Sequence, residues 1–272
     1  MTDATTDFAP KQPLGVGSIL GESFSIFFRK IITILLIAII PSSIAFLLSG
    51  TLQGWDVMTG ASLPDFSSTS YIISYAVSII ARFALFGLII GMMVQFAYDA
   101  KLGRPANIGG YFQNGLKHIV PIVILTVICY IAAGIFSVAL VVPGLWLAAA
   151  LFVYVPAIVI DGSGFGALGR SWRLTKGYRW PIVGLLIVTL LVLIVVMGVI
   201  VGGLTIAILG TNFDAFTTPE VSLSTIIPLF LIQSIGNAIA YGFGSVIVAL
   251  AFARLKEIKE GVGIDDLVSV FE

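Results

Sequence analysis

The sequence contains little charge, one cysteine and one histidine. Only 10% of its 272 residues are charged, compared with about 25% in an ordinary soluble domain, so water is not the solvent for most of the chain. One cysteine and one histidine cannot build a disulfide framework or a cluster of metal ligands. With 14 basic and 14 acidic residues, the chain also lacks the positive excess of a nucleic-acid surface. We therefore expect no metal, no other cofactor and no nucleic-acid partner.

Hydrophobic residues make up 58% of the chain and are gathered in six apolar runs. The runs cover residues 31–48, 71–97, 119–142, 144–160, 181–209 and 225–253. A helix needs about 20 apolar residues to cross a bilayer, and six such runs leave no polar faces for water. The sequence thus predicts an all-α, polytopic membrane protein with six transmembrane helices. Residues 18–256 would form the membrane domain, between a flexible N-terminus (1–17) and a charged tail (257–272).

The basic residues predict how these helices are oriented. Thirteen of the 14 Lys and Arg residues lie near the termini or in the loops after the second and fourth runs. The loops on the opposite side carry acidic residues instead: Asp56, Asp65, Asp214 and Glu220. By the positive-inside rule, both termini face the cytoplasm. The first 30 residues are too charged for a cleaved signal peptide, so we expect a multi-pass protein of the bacterial inner membrane.

A count of five spans would fuse the third and fourth runs into one long helix. Pro143 removes a helical hydrogen bond and Gly144 tolerates a turn, so we expect a tight hairpin at residues 142–144 on the outer face. The five-span count would also scatter the basic residues over both sides of the membrane.

Three cytoplasmic segments, 18–30, 106–118 and 164–178, precede the first, third and fifth spans. Each carries apolar residues at helical spacing, which predicts an amphipathic helix lying along the membrane surface. In the second segment, Ile108, Phe112, Leu116 and Ile119 share one face, opposite Asn107, Asn114 and Lys117. The recurrence has two explanations: a unit of interfacial helix and hairpin used three times, or the general pattern of chains entering a membrane.

Arg82 is the one basic residue inside a run. It lies about 16 Å from the start of that run, which places it near the middle of the bilayer, where a cation costs about 2.5–3.5 kcal/mol. Gln233 and Asn237 lie at similar depth in the last span and share one helical face, so we expect them to be its partners. Arg82 could form a site for an anionic headgroup or solute, or it could be a structural residue satisfied by amides and carbonyls.

A second cluster of polar and aromatic residues lies at the cytoplasmic surface. Its members are Asp161, Arg170, Trp172, Arg173, Lys176 and Arg179. Aromatic rings prefer the headgroup level, and anionic lipid attracts cations by about 1 kcal/mol each, so the cluster predicts contact with phospholipid headgroups. Topology alone would also produce such a cluster. We expect Asp161 to orient Arg170 or Arg173 and not to act as an acid or base.

The stretch from residue 142 to 182 resembles a known membrane domain. The matching elements are Pro143-Gly144, Pro156, Asp161-Gly162 and the run from Ala167 to Gly177. They resemble the membrane domain ahead of some bacterial glycerophosphoryl diester phosphodiesterases, and the multi-pass proteins of the YciC-like group. The resemblance implies a stand-alone six-helix domain without the phosphodiesterase barrel, since nothing long enough for a barrel follows Glu272, so we transfer no catalytic activity.

These features favour a non-enzymatic membrane protein, because paired carboxylates, metal ligands and an activated nucleophile are all missing from the sequence pattern. We expect it to handle lipid or amphiphile, with membrane phospholipids as its partners, or to serve as the membrane partner of another complex or of a second copy. The alternative is a channel or facilitator for a small anionic or amphiphilic solute that passes Arg82.

The predicted topology can be tested with single cysteines introduced at Ser62 and Asp265 in a chain without Cys129. A membrane-impermeant thiol reagent applied to intact spheroplasts should label Ser62→Cys and should reach Asp265→Cys only after permeabilisation. The opposite labelling pattern at either position would exclude the six-span topology with cytoplasmic termini.

Overall fold

The computed structural model describes residues 12–59, 62–139, 141–209 and 223–261. Within these ranges the chain forms α-helices and one short 3-10 turn at Gly164–Gly166, with no β-strand, so the all-α prediction is confirmed. The helices are α1 Val16–Arg29, α2 Ile31–Gln53, α3 Trp55–Thr59, α4 Thr69–Lys101, α5 Ile108–Lys117, α6 Ile119–Ala139, α7 Val141–Ala150, α8 Tyr154–Val159, α9 Ala167–Leu174, α10 Arg179–Leu209 and α11 Leu223–Glu260. Asp214, Glu220 and Asp265 lie outside the described residues.

Several of these helices are long and apolar enough to cross a membrane. In the described ranges the segments are Ile31–Gln53, Thr69–Lys101, Val142–Val159, Arg179–Ala207 and Phe230–Glu260. The pair Ile108–Lys117 and Ile119–Cys129, bent by 68°, adds a sixth if it is counted as one span. Such apolar helices indicate a membrane protein. The number of spans and their orientation stay predictions.

The hairpin between the third and fourth runs does not turn at residues 142–144. Pro143 and Gly144 lie in the first turn of α7, where a proline costs no hydrogen bond because the first amides of a helix have no intrahelical acceptor. Residue 140, between α6 and α7, is outside the described residues. The hydroxyls of Thr126 in α6 and Tyr154 in α8 lie 2.7 Å apart, which shows that the chain folds back here.

The fourth apolar run is itself broken, between Ala150 and Tyr154. Pro156 has no amide hydrogen for the carbonyl four residues earlier, and its ring clashes with that carbonyl. Within the break the Tyr154 amide donates to the Leu151 carbonyl at 3.2 Å, and the Ala150 carbonyl accepts hydrogen bonds from the hydroxyls of Ser171 and Thr175, each at 3.0 Å. The Val153 amide donates to the Ser171 hydroxyl at 3.3 Å. The short helix α9 therefore satisfies the backbone groups that the break exposes.

Helix α11 is the centre of the bundle. It packs against α1, α2, α4 and α10, and 72% of its most apolar stretch is buried, compared with 22% for α10. At Gly242 the crossing with α2 is so close that an added Cβ would lie 2.5 Å from Cγ2 of Ile34. A small residue is needed there because it lets two helices approach closely.

Short helices occur where the three segments before the first, third and fifth spans predict them: α1, α5 and α9. Helix α5 presents different residues to the bundle and to its surface. Asn114 points into the bundle, where its amide donates to Oε1 of Gln95 at 2.8 Å and to the Val159 carbonyl at 3.0 Å, while Phe112 and Leu116 are exposed. In lipid the apolar face looks outward and small or polar groups meet neighbouring helices. Placement of these helices at a membrane surface stays a prediction.

Gly242→Ala should lower the free energy of unfolding by about 1–3 kcal/mol, because the new methyl group overpacks the α2–α11 crossing. Gly244→Ala is the matched control, since an added Cβ at Gly244 meets nothing within 4 Å. The control should be neutral or more stable by up to about 1 kcal/mol through better helix propensity. Thermal unfolding in detergent measures both, and equal melting temperatures for the two variants would contradict the close crossing.

Candidate functional site

Two polar contacts join α2 to α4 at the helix ends remote from Lys30 and Lys101. Nε of Arg82 donates to Oγ of Ser49 at 2.7 Å, and Nε2 of Gln53 donates to Oγ of Ser78 at 2.6 Å. Each pair of positions is four residues apart on its helix, so one face of α2 meets one face of α4. Ser49 is buried, and its own hydroxyl donates to the Ala45 carbonyl at 2.7 Å.

Arg82 and Ser49 line a cavity of about 690 Å³ between α2, α4 and α11. Its polar lining consists of Ser42, Ser49, Arg82, Gln233, Ser234, Asn237 and Tyr241. Its aromatic lining includes Phe46, Phe83, Phe86 and Phe230. The structure therefore places Arg82, Gln233 and Asn237 around the same cavity. Gln233 and Asn237 are four residues apart on α11, so they share one face of that helix.

The hydrogen bonds of the cavity differ from those we expected. Arg82 bonds to Ser49, and no hydrogen bond joins it to Gln233 or Asn237 in the described part of the chain. Within those same ranges, Nη1 and Nη2 of Arg82 and the two side-chain amides have no hydrogen-bond partner. Arg82 and Gln233 are exposed, and Oγ of Ser42 is buried without a partner in the described ranges. The cavity thus holds polar groups that the described residues do not satisfy.

Ser49 was missed by the sequence analysis, although the sequence contains a signal for it. Ser49 lies 19 residues after Lys30 along α2, and Arg82 lies 19 residues before Lys101 along α4. Equal distances from two basic helix ends place the two side chains at the same level of an antiparallel pair. At about 1.5 Å per residue, that level is about 28 Å from the basic ends.

The length of α4 gives the position of Arg82 along the bundle. Helix α4 has 33 residues and is about 50 Å long, and Arg82 lies a few residues from its midpoint, on the side remote from Lys101. The predicted depth of Arg82, near the middle of the bilayer, stays a prediction.

A network of ion pairs occupies the opposite end of the bundle. Asp161 accepts from Nε of Arg170 at 2.9 Å and from Nζ of Lys256 at 2.7 Å, and Arg170 also pairs with Glu260. The hydrogen bond to Glu260 raises the pKa of Arg170, with a further contribution from Asp161. Asp161 thus lies against Arg170, one of its two expected partners. Two carboxylates balance two cations here, so Arg170 is not free to bind a headgroup.

The rest of the cytoplasmic cluster is divided between an aromatic pair and the surface. The guanidinium of Arg179 lies 4.1 Å from the ring centroid of Trp146 and 4.0 Å from that of Trp172, a cation–π arrangement with two rings that meet edge to face. Sequence reasoning missed Trp146, since it lies in a different apolar run. Arg173 and Lys176 are exposed. The six residues therefore do not form one binding surface.

No group of three or more His, Cys, Asp or Glu side chains in the described ranges is arranged to hold a metal ion. The polar groups of the cavity are one guanidinium, amides and hydroxyls. These groups bind and orient a ligand by hydrogen bonds and charge.

Comparison with known proteins identifies one family. The domain of unknown function DUF7847 matches residues 109–255, which covers α5 to α11 except for short ends, and leaves Arg82 and Ser49 outside the match. No curated protein and no solved structure matches the chain. The resemblance to the phosphodiesterase membrane domain and to the YciC-like group finds no support. Because the match extends over more than half of the 272 residues, the chain belongs to the DUF7847 family.

Proposed function

We propose that this protein is a non-enzymatic, membrane-embedded binding protein for a lipid or another amphiphile. The observation that carries the proposal is the cavity of about 690 Å³, whose lining combines polar side chains around Arg82 with aromatic side chains. Ligand pockets typically measure about 300–1,000 Å³ and combine apolar walls with a few polar groups. An amphiphile meets both kinds of surface at once.

The free-energy cost of placing Arg82 and its polar neighbours inside a membrane bundle supports a bound ligand. A cation inside a membrane segment is expensive and is kept where it has a partner or a function. Arg82 has one hydrogen bond within the described ranges, and the nearby hydroxyl of Ser42 is buried without a partner there. A ligand that accepts hydrogen bonds would satisfy these groups and offset their desolvation.

Packing in the other half of the bundle favours binding over passage. Met93, Phe96 and Phe252 are almost completely buried and fill the space near the basic ends of α4 and α11. A channel or facilitator past Arg82 would need a polar path through this region. Scaffolding of another membrane complex or of a second copy is compatible with the fold, but no contact in the described residues favours it.

The inner-membrane location and the cytoplasmic termini are part of the same proposal. The exposed aromatic residues in α1, α5, α9 and the 3-10 turn before α9 support an interfacial position: Phe28, Phe112, Phe165 and Trp172. Exposed Arg173 and Lys176 lie beside Trp172 and can attract anionic phospholipid by about 1 kcal/mol each. These features anchor the cytoplasmic side, whereas the cavity binds the ligand.

Ser42→Phe tests whether the cavity is the binding site. The ring would fill part of the cavity and would remove a buried hydroxyl that has no described partner, so the protein should stay folded. Ser43→Phe is the matched control, because Ser43 is the next residue of α2 and does not line the cavity. Mass spectrometry of amphiphiles retained in mild detergent should show several-fold less with Ser42→Phe than with the wild type or the control.

The control variant also separates a blocked site from loss of structure. Equal retention by Ser42→Phe and the wild type, with unchanged elution volume and melting temperature, would rule out the cavity as the binding site.

A further inference from the structure

The fixed orientation of Arg82 determines which part of its guanidinium meets a ligand. Nε donates to Ser49, whose hydroxyl is itself tied to the Ala45 carbonyl. The edge that carries Nη1 and Nη2 has no hydrogen-bond partner among the described residues, and Arg82 itself lines the cavity. This edge presents two parallel N–H donors, and two acidic oxygens on one atom match it bidentately.

The charge of the cavity selects an anion. Arg82 is the only Lys, Arg, Asp or Glu among the lining residues in the described ranges. A ligand with one negative charge would neutralise it, whereas a cationic headgroup would find no carboxylate. Gln233, Asn237 and Ser42 supply additional hydrogen-bonding groups around the headgroup.

The aromatic lining and the volume of the cavity limit the chemistry and the size of the ligand beyond its headgroup. Phe46 and Phe230 pack together with ring centroids 5.0 Å apart and present an apolar surface next to the polar groups. A volume of about 690 Å³ lies in the range for one compact ligand. Two acyl chains would have to leave the cavity, so the described shape favours a single chain.

Resting on the proposed function, we propose that the cavity binds a single-chain amphiphile with a monoanionic oxyacid headgroup, held bidentately by Nη1 and Nη2 of Arg82. Ser49 is the positioning residue that fixes the guanidinium. Because Arg82 lies about 28 Å from the basic helix ends, the headgroup is taken from the leaflet remote from Lys30 and Lys101. A carboxylate and a phosphodiester both satisfy this chemistry.

Trp55 provides a local reporter for this ligand. Its ring lies 5.6 Å from the ring of Phe46, a cavity residue. The other three tryptophans, Trp146, Trp172 and Trp180, belong to the region around the start of α10 near Arg179. Quenching that is present in the wild type and absent in Trp55→Phe therefore reports occupancy of the cavity.

The probes are three brominated single-chain amphiphiles added to purified full-length protein in neutral detergent. They are a fatty acid, a lysophosphatidylglycerol and the methyl ester of the fatty acid. We expect the fatty acid or the lysophosphatidylglycerol to bind at least about tenfold more tightly than the ester, as a charge-assisted bidentate pair implies. Quenching of Trp55 fluorescence measures these affinities. The anion that binds more tightly identifies the headgroup, and inorganic phosphate alone should displace neither.

Variants separate the contribution of the Arg82 charge from the contribution of Ser49, which positions the guanidinium. Arg82→Leu should reduce the affinity for the anion to that for the ester, and Arg82→Lys should retain only part of the difference, since a point charge lacks the fork. Ser49→Ala should lower the anion affinity about fivefold and leave the ester affinity unchanged, with rescue by Ser49→Thr. Ser43→Ala is the matched control, because Ser43 makes the same type of bond, to the Ile39 carbonyl at 2.6 Å, outside the cavity.

The outcomes distinguish this inference from the proposed function. Equal quenching by acid and ester in the wild type would overturn the anion selectivity and leave amphiphile binding in place. Absence of quenching by all three probes would overturn both. A fall in ester affinity equal to the fall in anion affinity in Ser49→Ala would show a structural role for Ser49 and overturn its positioning role.

Discussion

Hydrocarbon offers no hydrogen bonds, so every polar group inside a membrane bundle needs a partner within the protein. The helices satisfy this constraint for most of the backbone. In two places, side chains of neighbouring segments satisfy polar groups that the helix itself leaves without a partner. Where the fourth apolar run breaks between Ala150 and Tyr154, Ser171 and Thr175 donate to the carbonyl of Ala150. Where Asn114 enters the bundle, it bonds to α4 and to the end of α8. Side chains from neighbouring segments thus complete what the local helix cannot.

The two ends of the bundle meet this constraint in different ways. Near the basic helix ends, Asp161 lies between Arg170 and Lys256, so charges are paired and the core is filled. At the remote end, α2, α4 and α11 separate around a cavity in which Arg82 keeps two donor groups without a described partner. A cation in an apolar helix is costly unless its donors are satisfied. Because two donors of Arg82 lack a described partner next to a cavity, we interpret the cavity as a site for a ligand.

Sequence patterns predicted the helices well, because long apolar runs leave few alternatives to a membrane helix. They also related Arg82 to Gln233 and Asn237, since helical spacing fixes which residues share a face. The partner of Arg82 was harder to predict, because Ser49 is an ordinary serine in an apolar run. Its equal spacing from a basic helix end becomes informative only once α2 is known to pack on α4. Which face of α5 meets lipid stays a prediction, because helical periodicity separates two faces without saying which one meets lipid. The resemblance around Asp161 rested on a turn and a basic run, which are common in membrane proteins, and the family match did not support it.

A density map of the protein in lipid nanodiscs, prepared without added ligand, would examine the cavity most directly. We expect elongated density along Phe46 and Phe230, ending within hydrogen-bond distance of Nη1 and Nη2 of Arg82, with Ser49 still bonded to Nε. A map in which Arg82 instead bonds to Gln233 or Asn237 and side chains close the cavity would show that the guanidinium is structural and would refute the ligand site.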